Sequence, residues 1–371
     1  MKRVGFIINS RVPGLASLRK RMPPLALLTG WDDASSPMSF MRFRWVADEL
    51  KKSSSGFHYE IYRPWRGYDA VVFLKSMGPQ CLELARRLRD EGVCVVFEGN
   101  VDYYTRFRGE ARFDAMAPTA EQRTDAVAIT RCANAVIASS RHLAEVAAEF
   151  NTRVAWVPDN VNLGLRPSKL QQEPFREGRL QVWWSGMAAK LFELLAAENA
   201  FAALAGRIHL QLVTDDLEKA RKRWPEEVRG RVERFLAHVP HTMHRFRDIS
   251  SLLALYARGG VIVSPRYLDT PYNLSHTEWK ITLGMACELP AIASPVPSYV
   301  DAGGRSEPGA VSICRSDDDW TAALEHFLSD PARLSDAGAN AFETVKQFYE
   351  TGVVARQHAA WIADAFTRVE T

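Results

Sequence analysis

The sequence predicts an α/β protein made of two parallel-sheet domains. Three observations lead there. The chain has 371 residues, more than one hydrophobic core usually organises. Short apolar runs rich in Val and Ile alternate with amphipathic stretches of helical length, the pattern of strand–helix–strand units joined in parallel. That alternation is interrupted by a polar stretch over 164–178 with the composition of a linker.

The first strand is expected over 4–8. A loop carrying Gly14 and the basic run 18–21 follows, at the carboxyl end of the strand, where α/β sheets gather ligands. A helix over 39–52 turns Phe43, Val46, Ala47 and Leu50 to one face, with Arg42 and Arg44 beside its start. Strands over 59–62 and 69–75, a helix over 81–91 closed by Gly92, and a strand over 93–97 complete a β-α-β unit. Glu98, Asn100 and Asp102 come next. Carboxylates there can bind acceptor hydroxyls or take a proton, and can equally cap a loop. An aromatic and basic run over 103–113 is expected to line the same region. A helix over 120–132, a strand over 135–138, a helix to 150 capped by Ser139 and Ser140, and a strand over 154–158 finish this half.

The second half opens with a strand over 180–184 and the turn Ser185-Gly186, where glycine permits close backbone approach to a ligand. Lys190 stands at the start of a helix expected over 191–204, placed to face a phosphate. Strands are expected over 208–213, 235–239 and 260–264, with Arg266 just past the last. His241 and His244 lack a third ligand at metal spacing, so no metal site is expected. In the stretch 272–290, Asn273, Ser275 and Thr277 are all capping types, and a helix is expected to start among them. Its start carries hydroxyls, His276 and Lys280, and the dipole and free N–H groups there suit a phosphate. Pro290 ends it, and a buried strand over 291–294 follows. A strand over 309–314 and helices over 316–327, 331–349 and 353–369 close the chain.

Composition excludes several classes. A net charge of +3 is too small to argue for nucleic acid as a partner. Five scattered cysteines with no Cys-x-x-Cys suggest neither a disulfide framework nor zinc. No Gly-x-x-x-x-Gly-Lys-Ser/Thr or Gly-x-Gly-x-x-Gly is present, which disfavours P-loop enzymes and nicotinamide oxidoreductases. The apolar run at the N-terminus is too short for a signal peptide or a membrane span, so a cytoplasmic setting is expected.

The stretch from Tyr272-Asn273 through Thr277, Lys280 and Met285-Ala286 to Pro290 resembles the donor-binding segment of GT-B glycosyltransferases, the large retaining, family 4-like group. Val157-Pro158-Asp159-Asn160-Val161 resembles that family's domain junction. The resemblance implies two Rossmann-like domains facing across a cleft. Residues 1–163 would bind the acceptor, 164–349 the nucleotide sugar, and the helix of 350–371 would return to the first domain. It implies transfer of a sugar from a nucleotide diphosphate sugar to an acceptor hydroxyl, with retention and without metal or other cofactor. Donor binding would fall to Ser185, Gly186, Lys190, Arg266, Tyr272, Asn273, Ser275, His276, Thr277 and Glu278, and acceptor contacts to Gly14, Arg42 and Asn100. Lys280, Asp102 and Glu98 would be the catalytic candidates, with Asp102 or Glu98 as the base should the reaction invert instead. A lipid-linked, glycan or small-molecule acceptor is implied, and the 18–21 run would suit peripheral contact at an inner membrane face. The chain departs from the family at His276 for Lys, Leu283 for Glu, Glu288 for Gly, and Ser275 where many relatives carry an acid. Those departures keep open an inactive nucleotide-sugar-binding protein. A sugar-nucleotide epimerase is a third expectation.

Overall fold

The computed structural model describes residues 1–8, 38–53, 55–106 and 118–367. Gly14, the 18–21 run and most of 103–113 lie outside the described residues. The chain divides into two compact units. Unit 1 comprises Met1–Asn160, Asp269–Thr277 and Glu350–Thr371, and unit 2 comprises Val161–Leu268 and Glu278–Tyr349. The stretch that the sequence presents as one donor-binding segment is therefore shared, its first half counted with unit 1 and its second with unit 2.

Unit 1 holds strands β1 (Lys2–Ile8), β2 (Phe57–Ile61), β3 (Ala70–Leu74), β4 (Cys94–Gly99), β5 (Ala135–Ala138) and β6 (Val154–Trp156), ordered β2-β1-β3-β4-β5-β6. Every ladder is parallel. Both faces are covered, which is why β3, β4 and β5 are apolar nearly throughout rather than alternating. Ala70, Val72 and Leu74 pack on one side with Val46, Leu50, Val354 and Ile362. Val71 and Phe73 pack on the other with Leu84, Leu88, Ala126 and Leu143. The C-terminal helix, Thr351–Thr367, thus covers the first of these faces.

Unit 2 holds β7 (Phe175–Arg176), β8 (Arg179–Ser185), β9 (Ile208–Thr214), β10 (His241–Arg245), β11 (Val261–Ser264), β12 (Ala291–Ala293) and β13 (Val311–Ile313). Its order is β10-β9-β8-β11-β12-β13, all parallel, with the short β7 antiparallel to β8. The strand expected over 235–239 is instead the end of helix Glu226–His238. Val232 and Phe235 share its buried face at helical spacing, and that periodicity prevails over the short apolar run. The strand comes later, as β10. Three residues apart on a strand, His241 and His244 point to opposite faces and cannot chelate one ion.

Glu288 shows why the family pattern has glycine at its place. Its φ is +62°, a left-handed conformation that follows helix Trp279–Met285. Packing there is tight. A Cβ added to Gly338 would stand 2.3 Å from the Glu288 carbonyl oxygen. Gly338→Ala is expected to cost about 2–3 kcal/mol, read as a lower urea midpoint at unchanged slope. A loss below about 0.5 kcal/mol would mean that the helix carrying Gly338, Ala332–Phe348, stands farther from this turn.

Three of the free cysteines, Cys94, Cys287 and Cys314, behave as core groups. Burial pushes the Cys94 thiol up to about 11 and those of Cys287 and Cys314 up to about 12, so they stay protonated and unreactive. Among the described residues no helix is long and apolar enough to cross a membrane.

Candidate functional site

In unit 2 the order of strands reverses between β8 and β11, whose neighbours then run outward on either side. A crevice opens at the carboxyl ends of such a pair. β8 delivers Ser185-Gly186 there, and β11 delivers Pro265-Arg266. The segment after β8, Ala188–Ala197, is a 3-10 helix with about three residues per turn, so Lys190 and Glu193 share one face. Helix Trp279–Met285 brings Lys280.

These side chains meet. Arg266 Nη1 donates to Glu193 Oε1 at 3.1 Å, and Lys280 Nζ stands 4.0 Å from Glu193 Oε2. Arg266 is fixed further by its backbone N–H, which donates to Ser294 Oγ at 2.8 Å, and by Nε, which donates to the Tyr299 hydroxyl at 3.1 Å. That hydroxyl is itself bonded to Ser264 Oγ at 2.8 Å. Lys280 Nζ lies 4.9 Å from the centre of the Trp184 ring, a cation–π contact. A Cβ at Gly186 would come 3.1 Å from that Nζ and 2.9 Å from the Trp184 ring, so glycine leaves the lysine its room.

Lys190, Glu193 and Arg266 are buried and Lys280 is largely so. Three cations therefore gather about one carboxylate out of water. Burial pushes the Lys190 amine down to about 7, with Glu193 opposing and Arg266 reinforcing. Burial, then the Arg266 charge, hold Lys280 well below the ordinary lysine range, against the pull of Glu193. Like charges crowded in this way are what an incoming polyanion would relieve.

Gly186, Lys190, Arg266 and Lys280 are thus brought together, with Ser185 at the end of β8. Glu193, Tyr299 and Trp184 belong to the same group and are not among the sequence candidates. A signal for Glu193 exists: in Ala188-Ala-Lys-Leu-Phe-Glu-Leu-Leu-Ala-Ala197, two opposite charges three residues apart interrupt an otherwise apolar run. Glu278, immediately before helix Trp279–Met285, is fully buried, and its charge helps burial raise the Tyr349 hydroxyl.

The single helix expected to start among Asn273, Ser275 and Thr277 is two short helices. The first, Pro271–Leu274, is capped by Thr270, whose hydroxyl accepts from the Asn273 N–H at 3.2 Å. Tyr272 and His276 meet edge to face at 5.4 Å. Ser275 Oγ accepts from the Asp102 N–H at 3.0 Å and donates to the Tyr272 carbonyl at 3.2 Å. Thr277 Oγ1 donates to Asp159 Oδ2 at 2.7 Å. The hydroxyls of Ser275 and Thr277 are spent inside unit 1, and the second helix begins with an acid, Glu278, at its N-cap. A phosphate cradle of capping hydroxyls, as expected from the sequence, is not what these residues form.

Two further expectations in unit 1 are corrected. Arg42 is buried, with Nε donating to Glu98 Oε1 at 2.5 Å and Nη1 to the carbonyls of Val157 at 2.9 Å and Pro158 at 2.6 Å. Glu98 Oε2 is bonded to His358 Nε2 at 3.1 Å, and His358 Nδ1 to the Tyr59 hydroxyl at 2.9 Å. Burial would raise the Glu98 carboxyl, but Arg42 and His358 outweigh it and hold the group below its ordinary value. A carboxylate bonded on both oxygens, buried and held ionised is a structural ion-pair partner rather than a base, and Arg42 is its counter-ion rather than an acceptor contact. Asp102 is buried too. Its Oδ1 accepts from the N–H groups of Tyr104 at 2.8 Å and Thr105 at 2.9 Å, a loop cap, and its Oδ2 makes no hydrogen bond among the described residues. Asn100 is half-buried just past β4.

Two α/β units, each built on a parallel sheet, have the GT-B fold. Solved structures of that fold match along the whole chain. A sucrose-phosphate synthase from Thermosynechococcus elongatus superposes with a TM-score of 0.66 at 16% identity, covering 99% of this chain and 100% of that one. HepE of Anabaena, solved with UDP-glucose, gives a TM-score of 0.64 at 12% identity, covering 98% and 100%. AviGT4, a glycosyltransferase involved in avilamycin A biosynthesis, gives 0.60 at 12%, covering 99% of each. No protein-family model and no curated protein sequence matches the chain.

Proposed function

We propose that this protein is a glycosyltransferase that binds a nucleoside-diphosphate sugar on unit 2 and moves the sugar to an acceptor hydroxyl. The observation that carries the proposal is the group of three basic side chains, Lys190 and Arg266 buried and Lys280 largely so, around one carboxylate at the switch point between β8 and β11. Fold-level likeness to glycosyltransferases, and to HepE solved with UDP and glucose, supports it. In the reaction the bond between the anomeric carbon and the diphosphate breaks, and the electron pair leaves with the diphosphate. Lys190, Arg266 and Lys280 stabilise that growing charge with no metal required. The acceptor oxygen forms the new bond.

Configuration is retained in this proposal, and the departing phosphate oxygen takes the acceptor's proton, so no protein base is needed. That accords with Glu98 being engaged in an ion pair. Asn100 and the second oxygen of Asp102, past the carboxyl end of β4, are left as acceptor-side candidates in unit 1.

The test is turnover. Purified protein is incubated with a panel of uridine, guanosine and adenosine diphosphate sugars and alcohol acceptors, with and without EDTA. The expected result is transfer or slow hydrolysis of one donor, retained anomeric configuration by NMR, and no effect of EDTA. An inverted product or an EDTA-sensitive rate would overturn the corresponding part. A second reading, a binding protein without turnover, is favoured by Leu283, which lies in the core of unit 2 where the family pattern carries an acid. Tight binding with no turnover of any donor would select it.

A further inference from the structure

Glu193 is the carboxylate that meets the cationic group. It is fully buried, its Oε1 accepts from Arg266 at 3.1 Å, and its Oε2 lies 4.0 Å from Lys280 Nζ with no hydrogen bond of its own among the described residues. The 3-10 turn puts Lys190, three residues earlier, on the same face. We infer that Glu193 is a positioning residue that favours the cationic form of both lysines and holds Arg266 in place, so that the site keeps its affinity for a diphosphate to a higher pH than it would without that carboxylate. This rests on the proposed donor site and adds to it a residue that touches no donor atom.

A buried amine sheds its proton when burial and neighbouring cations outweigh its compensation. Here the charged groups facing Glu193 are Lys190 from its own segment, Arg266 from the end of β11 and Lys280 from helix Trp279–Met285. Tyr299 from helix Pro297–Arg305 reaches it through Arg266. Asp215, past β9, is occupied with the Ala188 N–H at 2.5 Å. Glu193 acts against deprotonation at both lysines. With Lys190 at about 7 even in its presence, the site stands at the edge of losing one of its charges. Without Glu193 that loss moves to lower pH. A diphosphate binding above pH 7 must then bring protons with it, and the requirement grows when Glu193 is neutral.

The experiment is calorimetric titration of UDP into wild type, Glu193→Gln, Glu193→Asp and Lys280→Ala at pH 6, 7, 8 and 9, each in two buffers of different ionisation enthalpy. Wild type is expected to lose affinity and take up protons as pH rises from 7 to 9. Glu193→Gln is expected to bind within about threefold of wild type at pH 6 and at least about tenfold more weakly at pH 8. Glu193→Asp, which restores a charge, should recover part of the alkaline affinity. Should Glu193→Gln not fold, Glu193→Asp carries the comparison, with a smaller shift in the same direction. Equal pH profiles in wild type and the Glu193 variants overturn the inference. A uniform loss at every pH overturns it too, because a purely structural role predicts that. The donor-site proposal fails separately, through UDP binding that Lys280→Ala leaves untouched or through no UDP binding by wild type.

Discussion

Replacing Arg42 by methionine is expected to cost unit 1 about 3–5 kcal/mol of stability. The substitution takes their cation from Glu98 and Asp159 in the interior, and leaves the carbonyls of Val157 and Pro158 without that donor. Each unsatisfied buried group adds its own desolvation cost. Urea unfolding followed by circular dichroism measures the loss. Adding Glu98→Gln to Arg42→Met should recover part of it, since a buried charge is then removed along with its partner. The pH dependence has a definite sign. Glu98 is held below its ordinary value, so its contribution is present above the unfolded-state value of 4.5 and is lost as pH falls through the folded one. Arg42→Met lacks that contribution and should lose less stability between neutral and acid pH than wild type does. A cost under about 1 kcal/mol would show that the ion pair carries little.

The second large effect is on ligand binding. Lys280→Ala removes the amine that faces both Glu193 and the Trp184 ring. A cation in a low-dielectric site contributes more to anion binding than a surface lysine does. The variant is expected to lose about 100-fold or more in affinity for a nucleoside diphosphate, on the order of 3 kcal/mol. Its free form should lose little stability, because the lysine it lacks is itself held well below its ordinary range by burial and by Arg266.

How much of this can be read from residues alone depends on the distance between partners. Doubly buried strands such as Ala70–Leu74 and Cys94–Gly99 are continuous apolar runs, and their parallel pairing follows from the helices between them. Gly186, Lys190, Arg266 and Lys280 are legible because each follows a strand or opens a helix beside the switch point. The Arg42–Glu98–His358 network is not. Its two bonds span 56 and 260 residues, and nothing local distinguishes an acid after a strand that pairs with a distant arginine from one that awaits a substrate. The break at 275–278 is hidden for a related reason. Asn273, Ser275 and Thr277 all have capping chemistry, yet none of them caps: Thr270 caps the first helix, and Ser275 and Thr277 are bonded to Asp102 and Asp159. Glu288 illustrates the opposite case, a departure from a family pattern whose backbone nonetheless keeps the left-handed turn glycine would make easy.

The measurement that bears most directly on the donor site is a thermal-shift comparison of UMP, UDP and UDP-glucose, and their guanosine and adenosine counterparts, on wild type and Lys280→Ala. One diphosphate series should raise the melting temperature of wild type well above what its monophosphate does, and Lys280→Ala should erase that increment. An equal increment in both proteins, or none for any diphosphate on wild type, would contradict the assignment of Lys190, Arg266 and Lys280 as a pyrophosphate site.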